Sequence, residues 1–260
     1  MSVPTPPEVE PEEHRGDVRG QMSILDHLEE LRTRIINMLI AVGIAFAACW
    51  TFSDNIFRLV SEPIEEAAGP LNFMSVTEPF NLTVKIAFIA SLFVASPFIM
   101  AQIWLFVSPG LYKHERRYAL PFIISSSLLF MTGGCFGYFV AFPYALQFLV
   151  GWGRSLGMNP VISAKEYFDL FIMVELGLGI VFEIPAVIFI LSRIGLVTPW
   201  FLLKNLKYAV LLAFIAAAII TPTSDIPNMM IMAVPMILLY LLGVIVAFLF
   251  GKKRRKEPGD

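Results

Sequence analysis

The stretch FVSPGLYKHERR, residues 106–117, decides the fold. It holds two chain breakers, Pro109 and Gly110, followed by a block of charge: Lys113, His114, Glu115, Arg116 and Arg117. Apolar runs flank it, 82–107 before and 121–149 after. Each is long enough to cross a bilayer, which takes about 20 apolar residues. The stretch therefore reads as a short charged hairpin on one membrane face. Loops carried by a rigid scaffold are where binding chemistry gathers. Glu115 is the odd member, a single carboxylate among basic neighbours.

The rest of the composition agrees. Of 260 residues, 57% are hydrophobic and only 15% charged, and the mean hydropathy is +0.73. Long apolar stretches of this kind mark membrane spans. The net charge of −2 hides a strong segregation of acids and bases along the chain. Cys49 and Cys135 both fall inside apolar runs, one near a span end and one near mid-span. They are expected to be buried thiols acting as small hydrophobes, not a disulfide.

Residues 1–21 carry four prolines, four glutamates and almost no large apolar side chain, so a disordered tail is expected there. The tail lacks a basic start and an apolar core, which argues against a cleaved signal peptide. Residues 23–36, SILDHLEELRTRII, begin with a capping-box-like Ser23 and Asp26. Ile24, Leu25, Leu28 and Leu31 share one helical stripe, which predicts an amphipathic helix at the interface running into the first span.

Six spans are expected, at about 35–52, 82–107, 121–149, 167–193, 207–220 and 227–250. The fifth is short: 14 residues rise about 21 Å, against a hydrocarbon core of about 30 Å. On the face shared by the N-terminus, the 108–120 and 194–206 loops and the tail lie thirteen Lys or Arg residues, against four on the other. The positive-inside rule puts both termini in the cytoplasm. Trp50 and Trp152 then fall at outer span ends, Trp104 and Trp200 at inner ones, as interfacial belts. The long outer connection, 53–81, has helical character broken by Pro63, suggesting a small outer cap. Pro97, Pro143, Pro185 and Pro235 lie within spans, where they bend helices and free carbonyls. The chain thus divides into a tail (1–21), a membrane domain (22–251) and a basic tail (252–260).

Several charges sit where a bilayer disfavours them. Glu183, in GIVFEIP, lies near the middle of the fourth span. An acid there costs about 2.5–3.5 kcal/mol on insertion scales and is a functional candidate by default. Glu175 lies eight residues earlier on roughly the same side. The structural alternative for each is a hydrogen bond to a neighbouring helix or to a carbonyl freed by Pro185. Asp225 suits either a functional turn or the N-cap of the last span. Glu30 and Glu115 are two separated carboxylates expected on one membrane face. Two such acids suit a ligand with two guanidinium groups, whose planar bidentate contacts lysine reproduces poorly. The alternative is that Glu30 pairs with Arg34 at i,i+4 and that Arg116 and Arg117 neutralise Glu115.

No phosphate-binding GxxxxGK loop, no HExxH and no serine–histidine or paired-aspartate arrangement at membrane depth is present. Nor is an internal repeat of the secondary-transporter kind visible.

The motifs HLEELRTRI (27–35), SEP (61–63), TEPF (77–80), SPFIMAQIWLFVSPGLYKHERR (96–117), SSSLLF (125–130), GYFVAFPYAL (137–146), FEIPAV (182–187) and the TP…D turn (221–225) together resemble the TatC family of twin-arginine translocation receptors. The resemblance implies an all-α, six-helix, concave, glove-like protein of the bacterial cytoplasmic membrane. It implies that Glu30 and Glu115 bind the twin arginines of a signal peptide, supported by Arg32, Phe106, Lys113, Arg116 and Arg117. It makes Glu183 the polar group of the concave face, and has Pro63 and Asp225 shape the outer cap and last turn. It implies single-span partners of the TatA and TatB kind, self-association, export driven by the proton-motive force, no enzymatic activity, no cofactor and no nucleic acid. The acidic N-terminal extension and Glu175 depart from the family pattern. The competing reading is a proton-coupled small-solute transporter relaying through Glu175 and Glu183.

Overall fold

The computed structural model describes residues 24–108, 118–221 and 225–251, and most of them are helical. With neither proline nor glycine before Gly43 to interrupt it, the expected interfacial helix and first span form one helix, α1 (Ile24–Thr51). After α2 (Ser53–Ala68) comes α3 (Glu78–Val107), begun by Pro79 in its first turn. The next path is continuous from Ala119 to Ser155. It comprises α4 (Ala119–Phe136), a π-helical turn over Gly137–Ala141, and α5 (Phe142–Ser155). Another path joins α6 (Ala164–Phe182) and α7 (Ile184–Arg193) through a break at Glu183, two residues before Pro185. The short α8 (Pro199–Lys204) leads to α9 (Leu206–Ile220) and α10 (Ile226–Phe250).

Five helical stretches are long and apolar enough to cross a membrane, and α9 is a shorter apolar helix. Its 15 residues rise about 22 Å. Its tip, Ile220, packs on Gly177 in the middle of α6, where an added Cβ would come within 2.9 Å of the isoleucine. The α9 end of the turn leading to α10 therefore stops short of the rim made by the other loops.

α3 is the post of the bundle, packed against α1, α2, α4 and α6, while α10 packs against α7, α8 and α9. The largest core cluster gathers Phe142, Phe168, Val174, Leu178 and Met236, all nearly or fully buried. At one end His27 meets Phe106, Tyr118 meets Phe250 and Trp200 meets Phe248. At the other, Asn72 pairs with Ser163 and Arg154 reaches the Ala67 carbonyl. Among the described residues, the start of α1, the end of α3, the start of α4 and α8 thus lie at one end, and α2 with the start of α6 at the other.

Three sequence expectations are corrected. Cys49 is buried but Cys135 is exposed, on the outward face of α4; both are free. Trp104 is no belt residue: it is buried against Phe122 and Phe189, while Trp50, Trp152 and Trp200 stay exposed. Pro63 does not break α2, which runs through it. A helical proline withholds the N–H that residue i−4 would accept, here from Leu59. The Tyr138 hydroxyl supplies the substitute, donating to the Leu59 carbonyl at 2.8 Å. Tyr167 also donates to the Val60 carbonyl at 2.5 Å, and Arg154 to that of Ala67, in the last turn of α2, at 2.7 Å. Side chains from three other segments thereby fasten α2 across the end of the bundle.

This account predicts a specific coupling. Tyr138→Phe should lower stability by about 1 kcal/mol, the net worth of one hydrogen bond. In a Pro63→Ala background, the restored N–H meets Leu59 and the same change should cost clearly less. Equal costs in the two backgrounds, measured by unfolding in mixed detergent, would refute the substitution of one donor for the other.

Candidate functional site

The polar residues singled out in the sequence occupy three places. The first is the end where α1 begins and α3 finishes. Packing of α1 along α3 stacks the His27 ring on Phe106 with centroids 4.5 Å apart. One turn along α1, Glu30 Oε1 accepts from Arg34 at 3.1 Å. Arg34 also reaches Gln102 Oε1 on α3 at 3.4 Å, a long contact. The i,i+4 pair foreseen as the structural alternative for Glu30 is therefore formed, though such a pair stabilises a helix by only about 0.3–0.5 kcal/mol. It leaves capacity unused. Glu30 Oε2 and Arg34 Nε are buried without a hydrogen-bond partner among the described residues. A carboxylate accepts along about four lone-pair directions, so Glu30 keeps an unused oxygen one turn along α1 from the His27 that stacks on Phe106. Arg32 is exposed on the same helix. Glu115, Lys113, Arg116 and Arg117 lie outside the described residues.

The second place is the break between α6 and α7. Glu183 sits at the junction, and its Oε2 accepts from the Ser126 hydroxyl of α4. Oε1 is buried without a partner. The hydrogen bond to a neighbouring helix, one of the two readings open from sequence, is present, and half of the carboxyl remains unmet. The third place is Glu175, buried in α6 with an unpartnered Oε1.

The two turn residues have structural work. Asp225 caps α10: its Oδ2 accepts the Asn228 N–H at 2.9 Å and its Oδ1 the Asn228 amide at 3.1 Å. Pro63 shapes α2 as described. Sequence reasoning passed over Gln102 and Ser126, although each was legible as a polar side chain inside an apolar run. It also passed over Glu78, which reads as an ordinary first-turn acid. Among the described residues no group of His, Cys, Asp and Glu is arranged to hold a metal ion.

Fold and site together define a polytopic, all-α membrane protein with Glu30 at one end of the bundle and Glu175 and Glu183 along one broken helix. The model of TatC, the Sec-independent protein translocase protein, matches residues 26–235. A Sec-independent protein translocase protein TatC from Koribacter versatilis is 49% identical over 242 residues, covering 91% of this chain and 89% of the relative. Its counterpart from Aquifex aeolicus is 35% identical over 238 residues, covering 90% and 98%. A crystal structure of the twin arginine translocase receptor TatC superposes with a TM-score of 0.74 at 36% identity, covering 86% of this chain and 98% of that one. A second, in the detergent DDM, gives 0.76 at 36% identity, covering 87% and 100%. The chain belongs to the TatC family of Sec-independent protein translocase proteins. Proteins of this family are named for moving proteins, which does not favour a small-solute transporter.

The Ser126–Glu183 pair can be tested by itself. Ser126→Ala leaves the Glu183 carboxyl with neither oxygen met and should cost about 1–2 kcal/mol. Adding Glu183→Leu should recover most of that loss, because replacing both partners by apolar groups is nearly neutral. A double variant less stable than Ser126→Ala would show that Glu183 has other partners.

Proposed function

We propose that this chain is the receptor subunit of a twin-arginine protein translocase, binding the twin-arginine signal peptide of a precursor protein with Glu30 and Glu115. Family membership gives the class of activity. The observation that carries the site is Glu30: its second carboxylate oxygen has no hydrogen-bond partner among the described residues, it lies one turn from the His27 that stacks on Phe106, and the loop bearing Glu115 leaves α3 at that same end. A guanidinium offers donors in a planar fork that fits a carboxylate side-on, and a bidentate pair forms wherever one oxygen is free to turn toward it. Arg34 already engages the other oxygen, so an incoming arginine has to share or displace it. Arg32, Lys113, Arg116 and Arg117 set the positive field around the acids, and Phe106 offers an apolar face for the stem of a bound arginine.

In this reading the chain crosses the bacterial inner membrane six times, with the short α9 as fifth span and both termini in the cytoplasm, the assignment the thirteen-to-four bias of Lys and Arg supports. It works with single-span partners of the TatA and TatB kind and with further copies of itself, on precursors moved by the proton-motive force. It binds and positions without catalysing a covalent reaction.

The test is binding of a signal peptide to the full chain in lipid nanodiscs. Replacing the twin arginines by lysines should weaken binding at least tenfold, the loss expected when bidentate contacts become single ones. Glu30→Ala and Glu115→Ala should each weaken the arginine peptide and spare the residual binding of the lysine peptide. Equal affinity for the two peptides would defeat the proposal.

A further inference from the structure

A cavity of about 440 Å³ lies between α4, α7 and α10. One wall is the stripe Pro121, Ser125 and Leu129 of α4, the other the stripe Leu242, Val246 and Phe250 of α10. Four-residue spacing puts each triplet on one helix face. Buried Pro185 and Ala186 of α7 are the floor. Their small side chains, with that of Ser125, leave the space open at depth. Pro121, Ser125 and Leu242 are exposed, so the groove opens sideways onto the hydrocarbon. From Tyr118, which also lines it, to Leu129 is eleven positions, a rise of about 16 Å. Half of a hydrocarbon core of about 30 Å is about 15 Å. The groove is thus as deep as one leaflet, which suits an acyl chain. A spanning helix would find a wall over only half its length.

Charge gathers at one end of this groove. Arg193 stands in the last turn of α7, its guanidinium carbon 4.4 Å from the centre of the Tyr118 ring and 5.8 Å from that of Phe189. Both rings line the groove, and they attract the cation through their faces. α10 finishes at the same place, where Phe250 meets Tyr118 with centroids 6.2 Å apart. A Cβ on Gly251 would come within 2.6 Å of Ser192 Oγ, so the chain leaves α10 against the residue before Arg193. The sequence then reads KKRRK, residues 252–256. Bases just beyond a span attract anionic lipids, and basic pockets between spans hold their headgroups.

We propose that this groove is a binding site for an anionic phospholipid. One acyl chain lies between α4 and α10, as deep as Leu129 and Leu242, and the phosphate meets Arg193 in the field of residues 252–256. A guanidinium suits the task because its fork of donors matches a phosphate. A zwitterionic lipid fills the apolar part equally well but brings an ammonium into the same positive field. The inference goes beyond the receptor proposal and uses none of the peptide-binding residues.

Trp104 is buried against Phe122 and Phe189, two residues of the groove lining, and so reports on its contents. In the full chain carrying Trp50→Phe, Trp152→Phe and Trp200→Phe, Trp104 is the remaining tryptophan. This chain is placed in nanodiscs of equal parts phosphatidylglycerol and phosphatidylcholine. Bromines on the acyl chains of one lipid or the other quench Trp104 fluorescence at short range. Brominated phosphatidylglycerol should quench about fivefold more than brominated phosphatidylcholine, the scale of one basic side chain beside an anionic headgroup. Arg193→Lys should keep most of that preference, and Arg193→Gln should remove most of it. Ser125→Leu, which fills the groove from its exposed rim, should weaken quenching by both lipids. Equal quenching by the two lipids, or a preference undiminished by Arg193→Gln, would overturn the inference. Quenching unchanged by Ser125→Leu would put the bromines outside the groove and overturn it too. So would loss of the preference on adding a twin-arginine signal peptide, which would give the groove to the cargo. None of these results touches the peptide-binding test of Glu30 and Glu115.

Discussion

One carboxylate holds one end of this molecule in register. Glu78 stands in the first turn of α3 and accepts three backbone N–H groups: Met74 at 2.9 Å and Ser75 at 3.2 Å on one oxygen, Lys165 at 2.7 Å on the other. The loop before α3 and the start of α6 are thereby tied together across 87 positions of sequence. Asn72 and Ser163 reinforce the tie as an isolated bridge. Two turns further along α3, Lys85 donates to Asp169 of α6 at 2.5 Å, and Lys165 approaches the same acid at 3.4 Å. With α3 locked against α6 at this end, the level of every residue along the two helices is fixed. The walls that surround Glu175 and the closeness of Ser126 to Glu183 both depend on that register, since α4 packs against both helices.

A second constraint comes from the bilayer, which offers no water to a stray backbone group. Two prolines inside helices, Pro63 and Pro97, release carbonyls to which the structure brings hydroxyls. Tyr138 covers Leu59 opposite Pro63, and Ser96 bonds the Phe93 carbonyl that Pro97 leaves without its N–H. The helices consequently pass through proline without stopping. Glu183 is the exception: there the path does break, and a carboxyl stands at the break with one oxygen in use.

The three acids differ in how far the protein satisfies them. Glu30 has an arginine on one oxygen and lies near the end of the bundle. Glu183 has a serine, and Glu175 has no partner for Oε1. All three keep one buried oxygen that no hydrogen-bond donor meets among the described residues.

Five of the expected spans were legible in the sequence because length and hydropathy alone select a helix long and apolar enough to cross a membrane. Glu30 and Glu183 stood out for the same reason, as acids in or beside apolar runs. Residue type and spacing say nothing, however, about what lies across a helix interface. They could not tell that Trp104 is buried and Cys135 exposed, because both occur in uniformly apolar helices with no polar face to orient them. They misjudged Pro63, whose lost hydrogen bond is made good by a tyrosine 75 positions away. The sequence by itself determined that this chain is a bundle of membrane helices with acids in unusual places. Which acids are met, by which donors, and where a groove stays open was decided by tertiary packing, because a hydrogen bond between helices depends on the level and rotation at which they meet.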